Sequence, residues 1–389
     1  MNVSSTELLA RLVAFDTTSQ RSNLPLIEWV ADYLSGLGVK PQLNHNADGS
    51  KANLFATVGP EGESGVCLHG HTDVVPVEGQ PWQTDPFRLT ERDGLLFGRG
   101  TSDMKAWLAC SLAAVPGYRA RQLRTPIHLA FSYDEEIGCL GAPGLIAEFG
   151  VSLPKPRIAL IGEPSMMAPI VAHKGLLALN TTITGRTAHS SLLHLGVSAV
   201  SAAAEMAAEL HRIGKEWSQL PGPHGMLPSG PTVSVGKLSG GVARNVIPRE
   251  ARLNWELRFR ADDAPDLLLK EANARIEARL RESFQAHFDV LSVETREVSR
   301  TPAFDSGAGS VAERLARQLG AVGEARGVPY GAEAGQYAAA SIATVICGPG
   351  SIEQAHQPNE FISPSQVVAC DRFLGKLGEW SCNAGNSFE

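Results

Sequence analysis

A buried strand that ends in imidazole and carboxylate side chains constrains a fold strongly. Its apolar part must enter a core while its polar end must meet water, a ligand or a cation. Val66-Cys67-Leu68-His69-Gly70-His71-Thr72-Asp73-Val74-Val75-Pro76 is such a run. Alternate side chains of a strand share a face, so His71 and Asp73 are expected to point the same way. A metal-binding imidazole commonly has its second ring N–H held by a carboxylate, and Asp73 is placed to hold His71 in that manner. One His-x-Asp alone is more often a polar turn after a core strand, but further segments repeat the pattern. Gly98-Arg99-Gly100-Thr101-Ser102-Asp103-Met104-Lys105 sets Asp103 in a Gly-rich loop before a helical stretch. Tyr133-Asp134-Glu135-Glu136 and Ile161-Gly162-Glu163-Pro164 each follow a strand-like run, and His356 lies in a loop after another, at 343–347.

Helical patterns separate these runs. Leu8, Leu9, Leu12 and Val13 form one apolar stripe, and Leu26, Ile27, Val30, Leu34 and Leu37 form another that stops at Gly36 and Gly38. Strands buried on both faces and alternating with helices predict an α/β domain with a mixed, mostly parallel sheet flanked by helices. Ligands of such a sheet bind beyond the carboxyl ends of its strands. Four carboxylates gathered there with two histidines would repel one another unless a cation sat among them. Imidazole with carboxylate and no thiolate suits Zn²⁺, Co²⁺ or Mn²⁺.

The pattern changes after Lys174. Stretches 177–185 and 252–260 alternate polar and apolar residues, helical patterns cover 199–213 and 263–284, and strand-like runs lie near 232–236 and 290–298. Their β-α-β-β-α-β order predicts an inserted α+β, ferredoxin-like domain over 176–289. The metal-binding domain is then made of 1–175 and 290–389.

Charge narrows the partners. Lys and Arg total 34 against 41 Asp and Glu, a net charge of −7 without a basic block. No nucleic-acid partner is expected, and a small-molecule ligand is. The six cysteines (67, 110, 139, 347, 370 and 382) form no C-x-x-C pair and read as reduced structural thiols of a cytoplasmic protein. The first residues, Met1 to Glu7, lack a basic, apolar leader pattern, and no apolar run is long enough to span a membrane.

The ordered set His71-x-Asp73, Gly100-x-x-Asp103, Glu135-Glu136, Gly162-Glu163-Pro164 and His356 resembles the co-catalytic metallopeptidases of family M20, over essentially the whole chain. The resemblance implies a binuclear amidohydrolase with two divalent ions per subunit, Zn²⁺ or Co²⁺, with Mn²⁺ a further fit. One ion would be held by His71, Asp103 and Glu163, the other by Asp103, Glu136 and His356, with Asp103 bridging and Glu135 the general base. It implies that the insert is a lid and dimerisation domain. His189, in Thr187-Ala188-His189-Ser190-Ser191, would reach the substrate carbonyl of the partner subunit in a homodimer. Arg244 and Asn245, in Gly240-Gly241-Val242-Ala243-Arg244-Asn245, and Arg258 would bind substrate. The resemblance also implies a cis peptide after Asp103.

Within the family, Tyr330-Gly331-Ala332-Glu333-Ala334-Gly335 is similar to a segment of acetylornithine deacetylases, with Ala332 in place of their Thr. This favours N2-acetyl-L-ornithine as substrate, with Glu333 as partner of a substrate amine. A helix N-terminal acid is the plain alternative for Glu333. Succinyl-diaminopimelate, another N-acyl amino acid or a dipeptide are alternative substrates. A non-catalytic binding protein of this fold would have lost a ligand or Glu135, and none is missing.

Overall fold

The computed structural model describes residues 3–383; Met1 and Asn2, part of the segment read against a leader, lie outside the described residues. The chain opens with α1 (Ser5–Val13) and α2 (Leu24–Gly36), followed by β1 (Gln42–His45), β2 (Ala52–Val58) and β3 (Val66–His71). A short hairpin, β4 (Thr90–Arg92) and β5 (Leu95–Phe97), precedes α3 (Lys105–Arg119), β6 (Ile127–Ser132), α4 (Ala142–Ile146), β7 (Ile158–Pro164) and β8 (Ile170–His173). Next come β9 (Gly175–Thr184), α5 (Ala199–Trp217), β10 (Thr232–Gly240), β11 (Glu250–Phe259), α6 (Pro265–Phe284) and β12 (Ser292–Thr301). The chain continues with β13 (Phe304–Asp305), α7 (Val311–Leu319), β14 (Arg326–Val328), α8 (Ala334–Ala339), β15 (Ala343–Gly348), β16 (Phe361–Ile362) and α9 (Pro364–Trp380).

Two compact units result. One holds the residues up to Ala172, Asp305–Arg326 and those from Ala332 on; the other holds His173–Phe304 and Gly327–Gly331. In the first, the sheet runs β1-β2-β6-β3-β7-β15-β8 before its short outermost strands. The central strands β6, β3, β7 and β15 are parallel, while β1 with β2, β2 with β6 and β15 with β8 are antiparallel. Every residue of β3, β6 and β7 is buried, as strands covered on both faces require. His71 is in register with Ser132, and Ile161 with both His69 and Ile346, so the parallel strands deliver their carboxyl ends to one edge. Close packing of α3 fixes that edge. A Cβ on Gly162 would lie 2.0 Å from Cγ of the fully buried Trp107, so only glycine lets β7 pass over the indole.

The second unit is a four-stranded antiparallel sheet of order β10-β11-β9-β12. Leu177, Leu179, Ile183, Leu253 and Leu257 face Ala203, Met206 and Leu210 of α5 and Ile276 and Leu280 of α6. Asn180 and Asn254, on the opposite face, are exposed. The unit extends to Phe304, beyond the expected limit at 289, because β12 pairs with β9 from Ser292↔Thr184 to Thr301↔Leu176. Among the described residues no disulfide joins the cysteines, and no helix is long and apolar enough to cross a membrane.

Candidate metal centre

The strand ends of the first unit bring His71, Asp103, Glu135, Glu136, Glu163 and His356 together. His71 terminates β3, Asp103 precedes α3, Glu135 and Glu136 follow β6, Glu163 lies at the end of β7, and His356 follows β15. His71 Nε2 is 3.0 Å from Asp103 Oδ1 and 3.8 Å from Glu163 Oε1. His356 Nε2 is 3.5 Å from Asp103 Oδ2 and 2.9 Å from Glu136 Oε2. Each oxygen of Asp103 therefore faces a different imidazole. Ligand atoms of His71, Asp103 and Glu136 lie within 4.8 Å of one another, as do those of His71, Glu135 and Glu163. The peptide bond between Asp103 and Met104 is cis, as expected.

Asp73 stays beside His71 and does a further job that was not expected. The strand stops at His71, so the two side chains do not simply align. His71 Nδ1 lies 2.9 Å from the backbone oxygen of Asp73 and 3.6 Å from its carboxylate. The carboxylate also accepts from Ser19 Oγ at 2.7 Å, from Glu135 N at 3.1 Å and from Glu136 N at 3.3 Å. Asp73 thus fixes the backbone of both glutamates. Cys139 Sγ also donates to Glu135 Oε1, at 3.4 Å.

The electrostatics are those of crowded carboxylates. Burial, with the charge of Glu163 next, pushes the Glu135 carboxyl well above its ordinary range. Burial and the charge of Asp103 raise Glu136 to about 7 and raise Glu163 well above the usual range. Burial opposes ionisation of Asp103, but hydrogen bonds to His356 and His71 hold its carboxyl low. Hydrogen bonds to Asp103 and Glu136 lift His356 to about 10. Burial alone would lower His71, yet Asp103 and Asp73 raise it well above its usual value. Glu136 Oε1 and Glu163 Oε1 are buried with no hydrogen-bond partner. Orphaned carboxylate oxygens beside imidazoles are what cations would satisfy, so the residues fit a pair of divalent ions.

Glu333 is buried deeper than a surface contact would be, at 1% exposure. Its Oε2 lies 2.5 Å from His69 Nε2 and accepts from Ser132 Oγ at 2.8 Å, while Tyr337 Oη lies 2.8 Å from His69 Nδ1. Glu333 Oε1 has no partner. The sequence reading missed His69 and Tyr337; His69 shared a strand face with His71, which was the available signal.

His189, Arg244, Asn245 and Arg258 belong to the second unit. There the two motifs meet: His189 bridges to Val246, Ser190 N donates to Asn245 O at 3.0 Å, and Ile247 N donates to Ala188 O at 2.8 Å. His189 is exposed, with Nδ1 2.7 Å from Ser191 Oγ. Arg244 is exposed, and Arg258 Nε donates to Glu256 Oε1 at 2.9 Å.

The model of Peptidase family M20/M25/M40 matches residues 67–379. The chain is 34% identical over 379 residues to acetylornithine deacetylase of Pasteurella multocida (strain Pm70), covering 95% of this chain and 96% of that protein. It is 32% identical over 381 residues to acetylornithine deacetylase of Myxococcus xanthus, covering 96% of each. A solved M20 family metallo-carboxypeptidase from Sulfolobus solfataricus has a TM-score of 0.76 at 16% identity, over 97% of this chain and 99% of that one. A dinuclear metal-binding M20 peptidase from Bacillus subtilis gives 0.66 at 15% identity, over 96% and 97%. At such identities these two structures show the shared fold.

Proposed function

Because this chain belongs to peptidase family M20/M25/M40, we propose that it is a binuclear metal-dependent amidohydrolase that converts N2-acetyl-L-ornithine and water to L-ornithine and acetate. The observation that carries the two-ion reading is Asp103, whose two oxygens face His71 and His356 separately. His71, Asp103 and Glu163 would hold one divalent cation, and Asp103, Glu136 and His356 the other; Zn²⁺ and Co²⁺ suit this donor set, and Mn²⁺ also fits. When bound, the cations supply Lewis acidity toward a water and toward the scissile carbonyl.

The residues of the chain do the rest. Glu135 is the general base: it takes the proton of the attacking water and gives it to the leaving amine nitrogen as the C–N bond breaks. Asp73 holds the backbone N–H groups of Glu135 and Glu136, which keeps base and ligand apart in role though adjacent in sequence. Glu333, with one buried oxygen unpartnered, is assigned to the side-chain ammonium of the substrate. Arg244, Asn245 and Arg258 are assigned to its carboxylate and backbone, a role suited to guanidinium. His189 is assigned to the developing oxyanion, contributed across a homodimer formed by the second unit. The edge strand β10, largely exposed, supports such pairing. The same reading assigns the chain to arginine biosynthesis in the cytoplasm.

Amine release by purified, divalent-loaded protein on N2-acetyl-L-ornithine, N2-succinyl-diaminopimelate and a set of dipeptides tests the substrate. The acetylated ornithine is expected to have the highest kcat/KM by about tenfold or more, roughly 1.4 kcal/mol of discrimination. Equal or better turnover of a dipeptide would overturn the assignment.

A further inference from the structure

Glu360 stood outside every expected ligand set, yet its carboxylate organises the loop that carries Asp103. Oε2 accepts from Arg99 Nη1 at 2.8 Å and from Gly100 N at 2.9 Å. Oε1 accepts from Ser102 N at 2.7 Å and from Asp103 N at 3.0 Å. Arg99 and Glu360 are both 1% exposed. Arg99 extends the link: Nη1 also donates to Gln357 O at 3.2 Å, Nη2 donates to Gln80 Oε1 at 2.5 Å, and the guanidinium sits 5.0 Å from the centre of the Trp82 ring. Gln80 Nε2 in turn donates to the backbone oxygen of His356 at 3.1 Å.

A buried ion pair is a poor source of stability, since desolvating the charges cancels much of their attraction and apolar residues of similar volume often serve as well. Four donors on one carboxylate do something an apolar pair does not: they fix the positions of three backbone N–H groups and one guanidinium. The need for this differs across the candidate site. His71 and Glu163 are held by the ladders of β3 and β7. Asp103 and His356 sit on loops, and His356 has a left-handed φ of 62° and a side chain 54% exposed.

We propose that Glu360 is a positioning residue: with Arg99 and Gln80 it locks the loops of Asp103 and His356 in one register and thereby sets the affinity of the cation position formed by His356, Glu136 and Asp103. The inference rests on the two-ion reading above. Glu360→Gln keeps the size of the side chain, but its amide nitrogen must then face N–H donors on one side or the other. Gln80→Ala, at a half-buried position, leaves Glu360 and its four donors in place and removes the link between Arg99 and His356, together with the bond from Trp82 Nε1 to Gln80 Oε1 at 3.1 Å.

The test is calorimetric titration of chelator-stripped protein with Zn²⁺, together with circular dichroism and gel filtration. Wild-type protein is expected to bind two equivalents. Glu360→Gln is expected to fold while one equivalent weakens by about 10–100-fold and the strand-held one changes less. Gln80→Ala should weaken the same equivalent by a smaller factor. Two equivalents at wild-type affinity in folded Glu360→Gln would overturn the inference alone. If that variant does not fold, unchanged affinity for both equivalents in Gln80→Ala overturns it. Wild-type protein that binds one equivalent or none overturns the two-ion reading and this inference with it.

Discussion

Glu135 and Glu136 are adjacent, both bound through their backbone N–H groups to Asp73, and both close to His71, so separating base from ligand is the sharpest test of the site. Glu135 Oε1 accepts from Cys139 Sγ, and the Glu135 carbonyl accepts from Gly138 N at 3.0 Å and Cys139 N at 2.8 Å. Glu135→Gln leaves those contacts available and removes only the basic oxygen. Positioned general bases contribute about 10²–10⁴ in rate, or roughly 2.7–5.5 kcal/mol of barrier. We therefore expect Glu135→Gln to keep both metal equivalents and lose about 10²–10⁴ in kcat. Glu136 is placed differently: Oε2 is 2.9 Å from His356 and Oε1 is buried without a partner. On the two-ion reading Glu136→Gln replaces a charge that would face a cation and should lose one equivalent on dialysis against metal-free buffer. Elemental analysis of the dialysed proteins and ornithine release under saturating substrate give the two readouts. Loss of metal from Glu135→Gln, with both equivalents kept and kcat reduced in Glu136→Gln, would refute the division of roles.

Three further outcomes follow from the geometry. The carboxyls of Glu135, Glu136 and Glu163 and the imidazoles of His71 and His356 all have folded values raised above their unfolded ones; a raised group stabilises the fold below its unfolded value and loses that contribution as pH rises through its folded one. The contribution of these site groups in chelator-stripped protein should thus fall from about pH 5 to about pH 10, against His128, Lys105 and Lys174, which burial lowers to about 4, 7 and 8 and whose contributions rise with pH. The readout is therefore the Tm gained on adding Zn²⁺, expected to be larger at about pH 8 than at about pH 6; an increment independent of pH would contradict this. Gly162→Ala puts a methyl 2.0 Å from the Trp107 ring and should cost about 3 kcal/mol or more, read as a Tm fall of several degrees or a loss of soluble protein; an unchanged Tm would show that α3 yields freely. Co-refolded His189→Ala and Glu135→Gln should regain part of the wild-type activity, since one site of the mixed dimer would combine an intact Glu135 with a donated His189; mixed dimers confirmed by mass but as inactive as their parents would remove His189 from the partner's site.

The chemistry of the strand ends was legible in the sequence. His71, Glu135, Glu136, Glu163 and His356 each follow an apolar run, and the helical stripes between those runs point to parallel strands with their carboxyl ends on one edge. Periodicity also marked the alternation of β9 and β11, where one face is buried and the other is not. It marked a strand near 290–298 as the last of that order but not where the unit ends: β12 is exposed along most of its length, and its pairing with β9 up to Thr301 carries the second unit past 289. Partners distant in the chain were equally out of reach. Nothing local to Glu333 announces His69, 264 residues away, and nothing local to Glu360 announces the N–H groups of Gly100, Ser102 and Asp103. The register of a strand or the stripe of a helix is set by neighbours within a few positions, so one sequence displays it. A hydrogen-bond partner is set by where two backbones pass in space, and for Asp73, which stays beside His71 and also accepts from Ser19, Glu135 and Glu136, only the folded chain decided the added partners.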